Sequence, residues 1–261
     1  MKVISVDNQR PLINSLIPRH PFSLSIIGAK SSGKSNLLIN LLTNKEGLYK
    51  KFNRIILISP TASMDEKIDT LTSQPILQPN YKLDRELYKR AIKKNIMDDD
   101  ILQIKSSEYI SSNDILNELT PQFLDELMEH QKNIIEEFGK PISDKVCLVL
   151  DDSIQNNFLH SRKFLNFVLL SRHVNISLIL ISQAYYLINK SIRLNCSVLV
   201  LFEIANKKEI ESIVDENNIG VDRKKFVEIY NNVMKTPFNF LTINHQNLRG
   251  KKLIKCFENF I

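Results

Sequence analysis

At 261 residues, with 43% hydrophobic and 25% charged side chains, the sequence has globular composition and excludes general disorder. That length suits one large domain, expected here as a single unit over residues 1–261 with its core at about 20–257. The net charge of +6 is uneven: residues 1–60 hold nine Lys or Arg against two acids, 61–145 eleven against seventeen, and 146–261 fifteen against ten.

Five short apolar runs read as strands: Ser23 to Gly28, Arg54 to Ser59, Val146 to Leu150, Ser177 to Ser182 and Ser197 to Phe202. Their apolar positions are consecutive, which suits strands covered by helices on both faces, and helical patterns lie between them. The expected class is α/β with a mainly parallel central sheet. Residues 60–145 read as an acidic helical insertion. Its clearest helix follows Thr120 as N-cap and Pro121 as N1, and stops at Gly139. Leu124, Leu127, Met128, Gln131, Ile134, Ile135 and Phe138 form one stripe of that helix, predicted to face the core. Asp98, Asp99 and Asp100 read as a solvated loop rather than a metal site. Beyond the fifth run, helices are predicted around Lys207 to Asp215 and Arg223 to Asn232. A turn at Asn247 to Gly250 then predicts an antiparallel pair closing the sheet edge.

Three widely separated cysteines, Cys147, Cys196 and Cys256, have apolar neighbours and no CxxC spacing, and no zinc site is visible. Buried free thiols in a reducing compartment are expected. No apolar run approaches the roughly 18 residues that span a bilayer, and the first residues lack a signal-peptide pattern. A soluble intracellular protein is the expectation. The basic ends suit a polyanion such as nucleic acid and serve solubility equally well, so charge alone does not decide a partner.

The stretch "GAKSSGKS" fits G-x-x-x-x-G-K-[ST], preceded by a predicted strand and followed by a helical pattern, the context this phosphate loop requires. Glycines let the backbone wrap closely round phosphates, and the amides and helix N-terminus that follow supply positive potential. Gly28, Ala29, Lys30, Ser31, Ser32, Gly33, Lys34, Ser35 and Asn36 are therefore the candidate ATP-binding residues. Lys34 is expected to reach the β- and γ-phosphates and Ser35 to ligate Mg²⁺. The run "VCLVLDD" ends a buried strand in two acids. Asp151 is the candidate magnesium residue, and Asp152 the candidate to orient or deprotonate the attacking water. Gln183, at the end of "SLILIS", is a candidate to sense the γ-phosphate. Arg172 and Arg193 are candidate arginine fingers, in cis or from a neighbouring subunit. His173 has no visible nucleophile partner and reads as structural.

The order "IIGAKSSGKS", "RIILISP", "VCLVLDD", "SRHVNISLILISQ" and "SIRLNCSVLVLF" resembles the genome-packaging ATPases of large double-stranded DNA viruses, poxvirus type, a branch of the FtsK and HerA translocase superfamily. The resemblance covers about residues 20–257. It implies a RecA-like ASCE P-loop core, with the second strand inserted between the phosphate-loop strand and the Asp151 strand. It also implies ATP hydrolysis, a homo-oligomeric ring, and sequence-independent movement of double-stranded DNA into a preformed capsid, with a capsid or portal protein as partner. The implied location is a virus factory or capsid vertex. The wider superfamily usually has Glu where this chain has Asp152. Two other readings stay open: a small-molecule P-loop kinase, weakened because residues 60–145 hold only Arg85 and Arg90 for a lid, and a nucleotide-switched scaffold, weakened by the intact set of motif residues.

Overall fold

Every apolar run predicted as a strand enters one sheet of the computed structural model, which describes residues 15–62, 66–94, 106–152, 157–217, 219–248 and 250–261. The strands are β1 (Ser23–Ile27), β2 (Arg54–Ile58), β3 (Ile115–Leu116), β4 (Val146–Asp151), β5 (Ile176–Ser182), β6 (Val198–Leu201), β7 (Leu241–Asn244), β8 (Leu253–Lys255) and β9 (Asn259–Phe260). Their order is β3-β2-β4-β5-β1-β6-β7-β8-β9; the first six are parallel and the last three join antiparallel. The predicted hairpin is thus β7–β8, and β9 extends the edge beyond it.

The neighbour of β1 differs from expectation. β2 lies outside β4, and β5 occupies the place between β1 and β4. All seven residues of β5 are buried, as a central strand requires, whereas β2 opens on half-buried Arg54, whose guanidinium binds Asp114 beside β3. Both runs are equally apolar as text, so only pairing distinguishes them. The register brings Ile27, Ser182 and Leu201 level, with Asp151 beside Ile181, so the carboxyl ends of four strands share one edge.

Helices α1 (Lys34–Thr43), α2 (Glu66–Thr72), α3 (Tyr81–Lys93), α4 (Pro121–Phe138), α5 (Arg162–Leu170), α6 (Lys190–Asn195), α7 (Lys207–Glu216) and α8 (Arg223–Met234) flank the sheet. Strand side chains alternate between two cores. Leu148, Leu150, Leu178 and Leu180 meet α4, α5, α7 and α8 through Leu124, Phe164, Ile213 and Phe226, while Cys147, Val149, Ile179 and Ile181 meet α1 through Leu38, Leu41 and Leu42. Each fully buried aliphatic side chain contributes about 1.5–3 kcal/mol, which is why runs apolar at every position suit this sheet.

Helix α4 has the predicted bounds. The Thr120 hydroxyl accepts from the Phe123 amide at 3.2 Å, and Gly139 stops the helix with φ 84, donating to the Ile135 carbonyl. Leu124, Leu127, Gln131 and Ile134 are buried, with Met128, Ile135 and Phe138 half-buried at the margin. Gln131 is accommodated because its amide donates to the carbonyls of Asp144 and Val174, each at 3.0 Å, tying the helix to the starts of β4 and β5. The segment expected as an insertion is built into the domain: β3 lengthens the sheet, Leu119 enters one core, and Leu71, Ile76 and Ile110 enter the other. Asp98, Asp99 and Asp100 lie outside the described residues. Cys147 and Cys196 are buried free thiols, but Cys256 is only half-buried. Burial pushes the Cys196 thiol up to about 11.

At the amino edge of the sheet, His245 follows β7, its ring nitrogen Nε2 2.9 Å from Asn217 Oδ1. Burial, with the Lys252 charge adding, pushes this imidazole down to about 4. The unfolded chain takes up that proton near pH 6.5 and the folded chain only near pH 4, so stability is full above the first value and is lost as pH falls toward the second. Between pH 7 and 4.5, His245→Asn is expected to lose about 2 kcal/mol less stability than the wild type in denaturant melts. Equal losses would clear His245 of this role.

Candidate nucleotide site at the carboxyl edge

The chain leaves β1 between the ends of its two neighbours. The Gly28 amide donates to the Ser182 carbonyl at 3.2 Å and the Ala29 amide to the Glu203 carbonyl at 3.3 Å. A Cβ on Gly28 would lie 2.5 Å from Phe202 Cβ and 2.8 Å from Ser32 Oγ, so no larger residue fits without moving the strand end. Gly33 has φ 105, which favours glycine, and Ser31 reaches the left-handed region at φ 63. Helix α1 then begins at Lys34 with no side-chain cap and no acid in its first turn, leaving its positive end toward the loop. Lys34 is buried, and its ammonium donates to the carbonyls of Gly28 and Ala29, both at 2.8 Å.

A cavity of about 400 Å³ lies over this loop, within the range of small-ligand sites. Lys30, Ser31, Gly33, Lys34, Ser35 and Asn36 of the loop and helix start line it together with Asp151, Asp152 and Gln183 from the ends of β4 and β5. Gly28 forms the base of the loop, while Ala29 and Ser32 line a second cavity on its β6 side. Ser32 Oγ is buried with no hydrogen-bond partner among the described residues. Asp151 is the last residue of β4, and Asp152 follows it with φ 45, a conformation Asp tolerates better than most residues. The Gln183 amide donates to Asp152 Oδ2 at 3.3 Å, so two residues read separately from the sequence are in contact.

The donor set fits a magnesium–phosphate complex. Ser35 and Asp151 offer one hydroxyl and one carboxylate to a common cavity, and Mg²⁺ is usually held by one or two protein oxygens while keeping water and phosphate oxygens. Among the described residues no cluster of three or more His, Cys, Asp or Glu could hold a metal unaided.

The sequence profile of the poxvirus A32 protein family matches residues 12–243. The chain belongs to that family. Curated protein sequences give no match. Among solved structures, this A32-family chain is similar in fold to the DNA-packaging ATPase B204 of Sulfolobus turreted icosahedral virus, with TM-score 0.54 and 15% identity over 93% of this chain and 98% of that one. It is also similar to the genome packaging NTPase B204 of Sulfolobus turreted icosahedral virus 2 in complex with ATP-gammaS, with TM-score 0.52 and 13% identity over 90% of this chain and 96% of that one. EssC from Geobacillus thermodenitrificans, represented by its ATPases 2 and 3, gives TM-score 0.50 and 14% identity over 90% of this chain and 39% of that one. The fold is therefore that of a P-loop ATPase.

The two arginines do not join the loop in this A32-family chain. Arg193, on α6, is 6% exposed, and its donors are spent elsewhere: on Glu216 at 2.8 and 3.1 Å, and on the carbonyls of Tyr185 and Ile188 at 3.3 and 3.0 Å. Its guanidinium also lies over the Tyr185 ring, 4.3 Å from the centroid. It is a strut, not a finger in cis. Arg172 precedes β5 and is therefore at the amino edge, opposite the loop, exposed beside Cys196, Glu216 and His245 around a different cavity. Neither position follows from sequence distance to Gln183. His173 is exposed beside Arg172 rather than packed in the core.

Phe238 was not among the sequence candidates. It lines both cavities at the loop, is 72% exposed, and has φ 64. The one local signal is Pro237 before it, which marks a turn and nothing more. No described helix is long and apolar enough to cross a membrane.

Proposed function

We propose that this chain is an ATP-hydrolysing motor that moves double-stranded viral DNA into a preformed capsid at the site of virion assembly. The observation that carries the reading is that Lys34 and Ser35 line one cavity with Asp151, Asp152 and Gln183. Loop amides and the Lys34 ammonium bind the β- and γ-phosphates, and Ser35 with Asp151 holds the magnesium ion. When bound, that ion neutralises phosphate charge. Asp152 orients water on the γ-phosphorus and accepts its proton as the bond to the bridging oxygen breaks and ADP leaves. Gln183 steadies that carboxylate through its hydrogen bond.

The family membership supports packaging, as does the likeness to B204, itself described as a DNA-packaging ATPase. The basic ends of the sequence suit sequence-independent contacts to phosphate. Because Arg193 is committed to Glu216, a guanidinium at the γ-phosphate would come from a neighbouring copy in a homo-oligomeric ring. Exposed Arg172 is available for it.

The test is phosphate release with and without linear duplex DNA, at low and moderate salt, for the wild type and Asp152→Asn. Salt-sensitive stimulation that the variant reduces by about 10²-fold or more is expected. Transfer of the γ-phosphate to a nucleoside or sugar in preference to water would overturn the motor in favour of a kinase.

A further inference from the structure

We infer that the second cavity at the loop holds the nucleobase of the bound nucleotide, with Phe238 as its stacking platform. This rests on the reading of the loop as a triphosphate site. Asp151, Asp152 and Gln183 stand at the ends of β4 and β5, on one side of β1. A triphosphate with its terminal phosphate at those residues directs its nucleoside toward the other side, the end of β6. There a cavity of about 210 Å³ opens, sharing Lys30, Ser31 and Phe238 with the first.

Its walls suit a flat heterocycle. Phe202, Met234, Pro237 and Phe238 supply apolar surface, and Glu203 and Asn239 supply oxygen acceptors for an exocyclic amine. The floor is held in place: the Tyr230 hydroxyl donates to the Phe202 carbonyl at 2.8 Å and accepts from the Ile204 amide at 2.7 Å. The phosphate loop abuts the same surface, since a Cβ on Gly33 would be 3.5 Å from both Phe202 Cε1 and Phe238 Cδ1.

Phe238 is also the wrong residue for its own turn. The Asn239 amide donates to the Thr236 carbonyl at 3.2 Å, closing a turn whose central residues are Pro237 and Phe238. The second central position, here at φ 64, ordinarily goes to Gly or Asn. A bulky ring held there and 72% exposed gains little from folding, and strained residues of this kind mark ligand clamps. A base stacked on the ring supplies the missing contact.

Two variants separate the aromatic ring from the backbone shape. Phe238→Asn suits the turn and removes the ring; Phe238→Tyr keeps it. Calorimetric titration of each, and of the wild type, with ATP and with inorganic tripolyphosphate in the presence of Mg²⁺ decides the matter. Phe238→Asn is expected to weaken ATP by about tenfold or more and leave tripolyphosphate unchanged, with Phe238→Tyr close to wild type for both. Unchanged ATP affinity in Phe238→Asn, or equal weakening of ATP and tripolyphosphate, would overturn the base subsite while leaving the triphosphate loop standing. A wild type that binds neither ligand would overturn both.

Discussion

Lys34→Ala is expected to reduce ATP turnover by at least about 10²–10³-fold, the usual penalty for removing one preorganised charge from developing negative charge. Lys34 is the buried ammonium at the loop, held by two carbonyl acceptors of the loop itself at 2.8 Å. Those bonds pre-position the cation between the loop and the start of α1, so a phosphate exchanges partners with it rather than recruiting a mobile chain. The alanine variant should fold, because the change removes a buried charge and so relieves its desolvation along with its bonds. Phosphate release measured beside a thermal melt separates loss of chemistry from loss of structure. Wild-type turnover in the variant would mean that hydrolysis does not occur at this loop.

Arg193→Ala is expected to behave in the opposite way, as a stability defect. The pair it forms with Glu216 is nearly closed to water, at 6% and 13% side-chain exposure. Burial alone would raise the Glu216 carboxyl, but hydrogen bonds from Arg193 and Tyr185, with the charges of Arg193 and Lys190, hold it below the usual range. Removing the guanidinium leaves that carboxylate the Tyr185 hydroxyl and the more distant Lys190, and frees the carbonyls of Tyr185 and Ile188, a loss of about 3 kcal/mol. The melting temperature should fall by roughly 10 °C. A finger acting in cis would show the reverse, a normal melt with turnover lost, and that result would refute the strut. Glu216→Gln combined with Arg193→Met should recover part of the loss, since it withdraws both charges together.

The local elements were legible because their signals lie in contiguous residues. Thr120, Pro121 and Gly139 bound α4 through their own dihedral preferences and one side-chain bond. The loop was legible for the same reason: Gly28, Gly33, Lys34 and Ser35 are spaced by what a backbone needs to curl and start a helix, and the structure meets that need with φ 105 at Gly33. Burial of Val146 to Leu150 could be read from apolarity alone, as could the carboxylates that end the run.

Spatial order could not. β2 and β5 are both apolar and short, so exchanging their places changes no local property; only pairing in the assembled sheet put β5 beside β1 and brought Gln183 to Asp152. Arg193 reads as an ordinary surface residue until α7 delivers Glu216, 23 positions away, and desolvates both. Phe238 lies about two hundred positions from Gly33, and the turn that lifts its ring over the loop uses a conformation its own residue type disfavours. The sequence by itself therefore determined the main parallel strands, helix α4, the loop motif and the acids that end β4, because short-range sterics and hydrogen bonding suffice for these. Tertiary structure decided which strand is central, which arginine is buried and which aromatic meets the nucleotide cavity, because those depend on the desolvation and contact of residues that meet only when the chain has closed.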